Sequence, residues 1–450
     1  MSERAVDLLE SVKRKRSEVF QRFCPDRLNG CSPADVRKVL VIDAASRSGS
    51  SFLHHLLSRN PDVVSLNGES LAFEKLQGLG LAESESASDF IPEDAGSSTT
   101  LASIAEDILK DSGSLHGTQT NDVFPEEDYP VDCVQRLILQ YPEIDLPPEI
   151  TLTVCADALR NLRSTTPLFS VADYWLEVLR ELRRRSYAVS PAHYDLRGSD
   201  PAADFPMTHD LAPPPFNDTC LEEPPFVAPQ PRRFPAKGRL AAKTLLLKSS
   251  SNCYHMRFVK RMFPKARFKF VVLTRNPAGA ISGLMDGWLS NGFYSRNVGR
   301  LGALAIRGYS QDRLPWTMKW WNFDLPPGWA DLRARTLQEV CAWQWSSANE
   351  HILRDIGDQT IGDHLFVRYE SFLDAQSLHR ELGKISEFAG LEGPPPADAA
   401  SSLRVMCVTP PAPQKWRKRR ETLAPLIANR RIAELAVRLG YNPGQWENWP

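Results

Sequence analysis

The run "KVLVIDAA" (38–45) is short, β-branched and almost wholly apolar. Such a run suits a strand covered on both faces, the usual state of a strand inside a parallel sheet. The small-residue turn "SRSGSS" (46–51) follows, and Phe52, Leu53, Leu56 and Leu57 then recur at helical spacing until Asn60-Pro61 stops them. Strand, tight turn and helix thus succeed one another with no room for anything else. The pattern returns in "KTLLLKSS" (243–250) before "YHMRFVKRMF", and in "ARFKFVVLTRNP" (266–277) before "AGAISGLMDGW". A further strand is predicted in "HLFVRYESF" (364–372), helices in "RTLQEVCAWQWSSANEHILRDI" (335–356) and "NRRIAELAVRLGY", the latter ending at Gly440. Strands alternating with helices predict an α/β fold built on a parallel sheet with helices on its faces.

Between these segments the composition changes. Residues 1–37 read as an N-terminal amphipathic helical segment whose basic run, Lys13 to Arg16, is expected to be a solvated face. From about 85 to 130 the chain is rich in Ser, Asp and Glu; "TLTVCADALRNL" and "VADYWLEVLRELRRR" are helical in pattern; residues 190–239 are Pro-rich and should be irregular. The expected organisation is therefore a core from 38–84 and 240–450, with 85–239 as a partly helical, Pro-rich insertion.

Composition removes several function classes. A formal net charge of -1 over 450 residues gives no overall attraction to nucleic acid. No apolar run is long enough to span a bilayer and "MSERAVDLLESVKRKRSEVF" has no secretory h-region, so a cytoplasmic protein with no membrane partner is expected. The eight cysteines form no CxxC pair and the nine histidines no HExxH, so no metal site is expected.

In an open parallel sheet, ligands sit at the carboxyl ends of the strands, where a turn feeding a helix presents unpaired N–H groups and the positive end of its dipole. The "SRSGSS" turn adds Gly49 for close approach, hydroxyls from Ser48, Ser50 and Ser51, and the Arg47 guanidinium, all suited to a phosphate-type anion. The GxxxxGK[ST] of a triphosphate-binding loop is absent. A second strand runs directly into Arg275, a second anion clamp on the same rim.

The ordered set "RSGSS…RNP…S…VRYESF…KWRK…LGY" resembles the sulfotransferases that use 3′-phosphoadenosine-5′-phosphosulfate, in the branch with "RSGTT"-type loops that includes tyrosylprotein sulfotransferases and bacterial relatives. The resemblance covers roughly 38–80 and 240–442 and implies a P-loop-like fold with that nucleotide as co-substrate. It implies that Arg47, Ser48, Gly49, Ser50 and Ser51 bind the 5′-phosphosulfate, and that Arg275 with a serine on the next helix binds the 3′-phosphate. The family's serine lies eight residues past the arginine, where this chain has Gly283; Ser282 falls one short and is taken instead. Lys415 and Arg417 in "KWRKRR" match the element that closes over the nucleotide, with Trp416 anchoring the turn.

By the same resemblance Glu69, in "NGES", is the general base for an acceptor hydroxyl, and Lys248 the cation near the transferred group, with Lys243 as competitor and Ser249 as an added hydroxyl. The reaction implied is in-line transfer of a sulfuryl group to a small-molecule hydroxyl, with the insertion 85–239 building the acceptor side and no metal required. Two alternatives remain at this stage: a nucleotide kinase or phosphotransferase on a similar fold, and a non-catalytic nucleotide-binding scaffold. Trp316, Trp320, Trp321, Trp343 and Trp345 are read as core.

Overall fold

The computed structural model describes residues 2–30, 32–82, 87–115, 128–166, 169–196, 213–235, 238–290, 292–358, 361–395, 406–407 and 411–450. Nine strands are seen among them: β1 (Lys38–Asp43), β2 (Val63–Leu66), β3 (Ser112–Leu115), β4 (Arg232–Arg233), β5 (Thr244–Lys248), β6 (Arg267–Thr274), β7 (Arg296–Asn297), β8 (Trp320–Trp321) and β9 (Asp363–Arg368). Seven form one sheet in the order β4-β3-β2-β5-β1-β6-β9, while β7 and β8 make a separate antiparallel ribbon. The β2, β5, β1, β6 and β9 neighbours are all parallel; β3 is antiparallel to both β2 and β4. The fold is thus α/β with a mostly parallel sheet, and two strands from the 85–239 stretch extend it.

The continuous apolar runs follow from burial on both faces. Along β1, Val39 and Val41 enter the larger core while Leu40 and Ile42 enter the smaller one. On β5, Leu245 and Leu247 face the first and Leu246 the second; β6 repeats this with Phe268, Phe270 and Val272 against Val271 and Leu273. Successive side chains on a strand point to opposite faces, so two apolar faces leave few polar positions; Lys269 on β6 is one, half-buried and donating to the Phe388 carbonyl. The smaller core is closed by the helices Ser50–Leu57, through Leu53, Leu56 and Leu57, and Ala375–Ala389, through Leu378, Leu382 and Ile385.

The N-terminal segment corrects one expectation. Its helix runs Glu3–Phe23, with a short second helix from Pro25, and the basic run is only partly a solvated face. Lys13 and Lys15 pair with Glu10 and Asp145 near the surface. Arg16 is buried, donates from Nη1 to the Gln135 carbonyl (3.2 Å) and packs over the rings of Phe20 and Phe73. Helical spacing explains it: position 16 shares a face with Leu9, Val12, Val19 and Phe20.

Register sets the site. Asp43 lies opposite Val272 on β6, so the turn leaving β1 and the residue leaving β6 emerge side by side at one rim of the sheet.

Candidate active site

The turn between β1 and the helix Ser50–Leu57 is tight. Arg47 (φ 66°) and Gly49 (φ 91°) both adopt the left-handed region, and Gly49 caps the helix. A Cβ on Gly49 would stand 2.5 Å from the Tyr369 ring, so only glycine lets the turn sit there. Below it, Ser46 Oγ donates to Asp324 Oδ1 (2.6 Å) and the Tyr254 hydroxyl to Oδ2 (2.6 Å). Burial pushes the Asp324 carboxyl up to about 7.

Arg275 leaves β6 just before the helix Pro277–Trp288. Pro277 occupies the first turn, the Asn276 side chain accepts from Gly279 N (2.7 Å), and Glu370 Oε1 accepts from both the backbone and side-chain nitrogens of Asn276 (2.8 and 2.7 Å). With its backbone fixed, Arg275 lays its guanidinium 4.3 Å from the Tyr369 ring centroid and donates from Nη1 to the Arg47 carbonyl (2.8 Å). Its Nε is buried without a partner. Arg47 donates from Nη1 to the Met406 carbonyl (2.6 Å) and lies over the rings of Phe293 and Phe323. Among the described residues no carboxylate reaches ion-pair distance of either guanidinium. Burial first, then the Arg275 charge, lowers the Arg47 pKa from its ordinary value. Two adjacent cations without a carboxylate form a site for a strong anion.

The helix Pro277–Trp288 presents Gly283 and Ser282 differently. Gly283 faces the clamp: a Cβ there would lie 3.3 Å from Arg275 Nη1 and 3.6 Å from Arg47 Cβ. Ser282 accepts at Oγ from Arg419 Nη1 (2.9 Å), and Arg419 also pairs with Asp286 (2.8 Å), which Lys418 holds as well. Arg419 was not among the sequence candidates. The "KWRKR" segment forms a three-residue-per-turn helix whose buried Trp416 donates to the Trp449 carbonyl (3.3 Å). That anchor places Arg419, three residues on, against Ser282.

Two strands from β1's turn stands a second group. Glu69, after β2, receives the Lys248 ammonium on Oε1; its Oε2 accepts from Ser249 Oγ (3.1 Å), Ser250 N (3.0 Å) and Ser250 Oγ (3.3 Å). Lys248 closes β5, whereas Lys243 lies before it and donates to the Pro61 carbonyl (2.7 Å). The five-residue strand separates the two lysines by about 16 Å, which leaves Lys243 at the opposite rim.

Both groups open into one cavity of about 790 Å³. A model of the sulfotransferase family matches residues 40–328, most of the length that carries this rim. The chain belongs to the sulfotransferase family. No curated protein matches the sequence. Among solved structures, the chain is similar to the sulfotransferase domain of the Synechococcus PCC 7002 olefin synthase (13% identity, 90% of this chain and 96% of that one, TM-score 0.38) and to the sulfotransferase domain of the curacin biosynthetic pathway (12%, 90% and 99%, 0.36). A sulfotransferase of Mycobacterium avium shows 14% identity over 89% of this chain and 74% of that one, with a TM-score of 0.30.

In this sulfotransferase the cavity is lined by Arg47, Gly49, Ser50, Ser51, Glu69, Lys248, Arg275, Ser282 and Lys415, nine residues singled out from the sequence. Burial lowers the Lys415 pKa. Ser48 and Arg417 are not brought in: the Ser48 hydroxyl is buried without a partner, and Arg417 is exposed, donating to the Glu447 carbonyl (3.3 Å). None of the five tryptophans read as core lines the cavity; Trp320, Trp321 and Trp345 are buried in the hydrophobic interior. Tyr369 and Glu370, which shape the Arg275 clamp, lay inside the predicted "HLFVRYESF" strand but carried no signal of their own. No helix among the described residues is long and apolar enough to cross a membrane.

Proposed function

We propose that this sulfotransferase moves a sulfuryl group from 3′-phosphoadenosine-5′-phosphosulfate to the hydroxyl of a small-molecule acceptor. One observation carries the reading: along a single rim the residues stand in the order Arg275, Arg47, Lys248, Glu69, following β6, β1, β5 and β2. Neighbouring strands lie about 4.8 Å apart, so the rim from β6 to β2 is roughly 14 Å wide, enough for a nucleotide laid across it with its reacting end at Lys248. The two guanidiniums without carboxylates fit a donor with phosphate at both ends. Arg275 takes the 3′-phosphate, with Arg419-supported Ser282 beside it. Arg47 and the backbone at Gly49, Ser50 and Ser51 take the 5′ end, and Lys415 covers it.

At the reacting end Lys248 neutralises charge on the leaving phosphate as the bond to sulfur breaks. Glu69 accepts the proton of the attacking hydroxyl. Ser249 and Ser250 hold one carboxylate oxygen of Glu69, fixing the other toward Lys248 and the acceptor. The wall beyond Glu69 comes partly from the 85–239 stretch, through Leu115, Leu221 to Pro225 and Arg232, which supports an acceptor bound against that stretch. A cytoplasmic setting accompanies this reading.

Thermal unfolding with 3′-phosphoadenosine-5′-phosphate, beside ATP with magnesium, tests the donor. At ~100 times its dissociation constant the true ligand adds about 2.7 kcal/mol to stability. Stabilisation by the 3′-phosphorylated nucleotide alone supports the reading; stabilisation by magnesium ATP alone replaces it with a phosphotransferase.

A further inference from the structure

One cation on the cavity wall has no role in the reaction described above. Arg232, on β4, is 6% exposed and lines the cavity. Its Nε donates to Asn67 Oδ1 (2.9 Å) and its Nη1 to Ser65 Oγ (2.7 Å) and the Gly113 carbonyl (3.1 Å), all neutral acceptors. Its Nη2 makes no hydrogen bond among the described residues, and it is not among the polar atoms sealed from solvent. Among the described residues no carboxylate lies within ion-pair distance of it, although Asp111 and Asp132 are near enough to act on its charge. Each acid on this wall is already taken: Glu222 by Arg136, Glu223 by Lys75 and Arg296, Glu69 by Lys248.

The position excludes a part in binding the donor's phosphates. The Arg232 guanidinium grips β2, two strands beyond β1 and three beyond β6, and β3, one strand further out. At about 4.8 Å per strand that guanidinium stands roughly 10–14 Å from the Arg47 turn, with Lys248 and Glu69 between them along the rim. Its neighbours suit a ligand of a single negative charge. Asn67 has its carbonyl oxygen occupied by Gln230 N (2.8 Å) and Arg232, which leaves its amide NH2 as a second donor on the cavity wall. His54, also on the wall, is held neutral by burial and by the charges of Arg232 and Lys248. Burial lowers Arg232 to about 10, so it stays charged at neutral pH. A buried guanidinium without a counter-ion is costly unless an anion arrives to meet it.

We infer that Arg232 and Asn67 form a subsite for a carboxylate on the acceptor, so that the substrate class is a hydroxy acid whose hydroxyl reaches Glu69 while its carboxylate rests on Arg232. The inference rests on the proposed sulfuryl transfer for the identity of the acceptor. The anion subsite itself stands on the cavity geometry. A carboxylate is favoured over a phosphate because one uncompensated cation balances one charge.

Calorimetric titration of the full chain, saturated with 3′-phosphoadenosine-5′-phosphate, uses 4-bromobenzoate, its uncharged isostere 4-bromobenzamide, and phenyl phosphate. The carboxylate is expected to bind at least about tenfold tighter than the amide, equivalent to ~1.4 kcal/mol, and Arg232→Gln to erase that preference while nucleotide binding persists. Equal binding of benzoate and benzamide, retention of the preference in Arg232→Gln, or tighter binding of phenyl phosphate overturns the carboxylate subsite. Arg232 also ties β4 to β2 and β3, so the wild-type protein supplies a second measurement in case the variant does not fold. In crystals soaked with 4-bromobenzoate, the bromine signal should lie in the cavity with the carboxylate on Arg232; bromine found only elsewhere overturns the proposal. If the nucleotide does not bind, the donor reading fails, and the same titrations on the nucleotide-free chain still decide the subsite.

Discussion

Arg275 donates from Nη1 to the backbone carbonyl of Arg47 at 2.8 Å, so the side chain leaving β6 fixes the conformation of the turn leaving β1. Arg47 holds a left-handed backbone that a non-glycine residue adopts only when its surroundings impose it. Replacing Arg275 therefore removes a charge and loosens a loop together. Arg275→Ala is expected to weaken 3′-phosphoadenosine-5′-phosphate binding by roughly 10- to 150-fold, the loss of a charged hydrogen bond worth about 1.5–3 kcal/mol. Arg275→Lys should recover little, because a point charge cannot both stack on Tyr369 and reach the Arg47 carbonyl. Calorimetry on the three proteins decides; full recovery by lysine would show that charge alone matters.

Glu69 and Lys248 touch each other, yet their removal should fail in different ways. Glu69→Gln keeps the shape and the Ser250 contacts but cannot take a proton, so turnover is expected to fall ~10²- to 10⁴-fold with nucleotide affinity unchanged. Lys248→Met leaves the carboxylate without its cation and lowers both turnover and donor affinity. Steady-state rates set beside nucleotide titration separate the two patterns. A Glu69→Gln enzyme within a few-fold of wild type would remove Glu69 from the chemistry.

The parts of this architecture legible in the sequence are those in which the burial pattern is strong. β1, β5 and β6 carry the continuous apolar runs Val39–Ile42, Leu245–Leu247 and Phe270–Leu273 because both faces are covered there, and the tight turn after β1 is marked by its small residues. β3 ("SGSL") and β4 (two arginines) carry no such pattern; they are strands only because partners far along the chain pair with them. Arg232 was invisible for the same reason, being one arginine in a Pro-rich stretch until β4 laid it over Ser65 and Asn67. In "KWRKRR" the charges look equivalent, and only the burial of Trp416 decides that Arg419 faces Ser282 while Arg417 faces solvent. Gly283, at the family's serine position, leaves room for the Arg275 guanidinium: a Cβ there would lie 3.3 Å from its Nη1.

Gly49→Ala tests the turn as a backbone device. The added methyl meets the Tyr369 ring at 2.5 Å and must adopt a φ of 91°. The variant is expected to lose about 1–3 kcal/mol of stability and to bind the nucleotide weakly. Adding Tyr369→Ala should relieve the clash but not the backbone cost, so chemical denaturation of the double variant should recover only part of the loss. Full recovery would assign the whole effect to the ring.

A pair of buried carboxyls below this turn gives the protein an unusual response to pH. Burial, with Asp355 adding to it, pushes Asp43 up to about 7, and burial does the same for Asp324. In the unfolded chain both titrate near the usual value of about 3.9. Between these pH values the folded state holds protons that the unfolded state has released, so stability falls as pH rises from about 4 through 7. No side chain among the described residues hydrogen-bonds the Asp43 carboxyl, so Asp43→Asn removes the titration without breaking a side-chain pair. The midpoint of thermal unfolding, followed from pH 5 to 8, should decline in the wild type and decline less in Asp43→Asn, the variant becoming the more stable of the two at pH 8. Parallel curves would mean that Asp43 is already ionised in the folded protein at pH 5, with its charge met by a group other than those around it here.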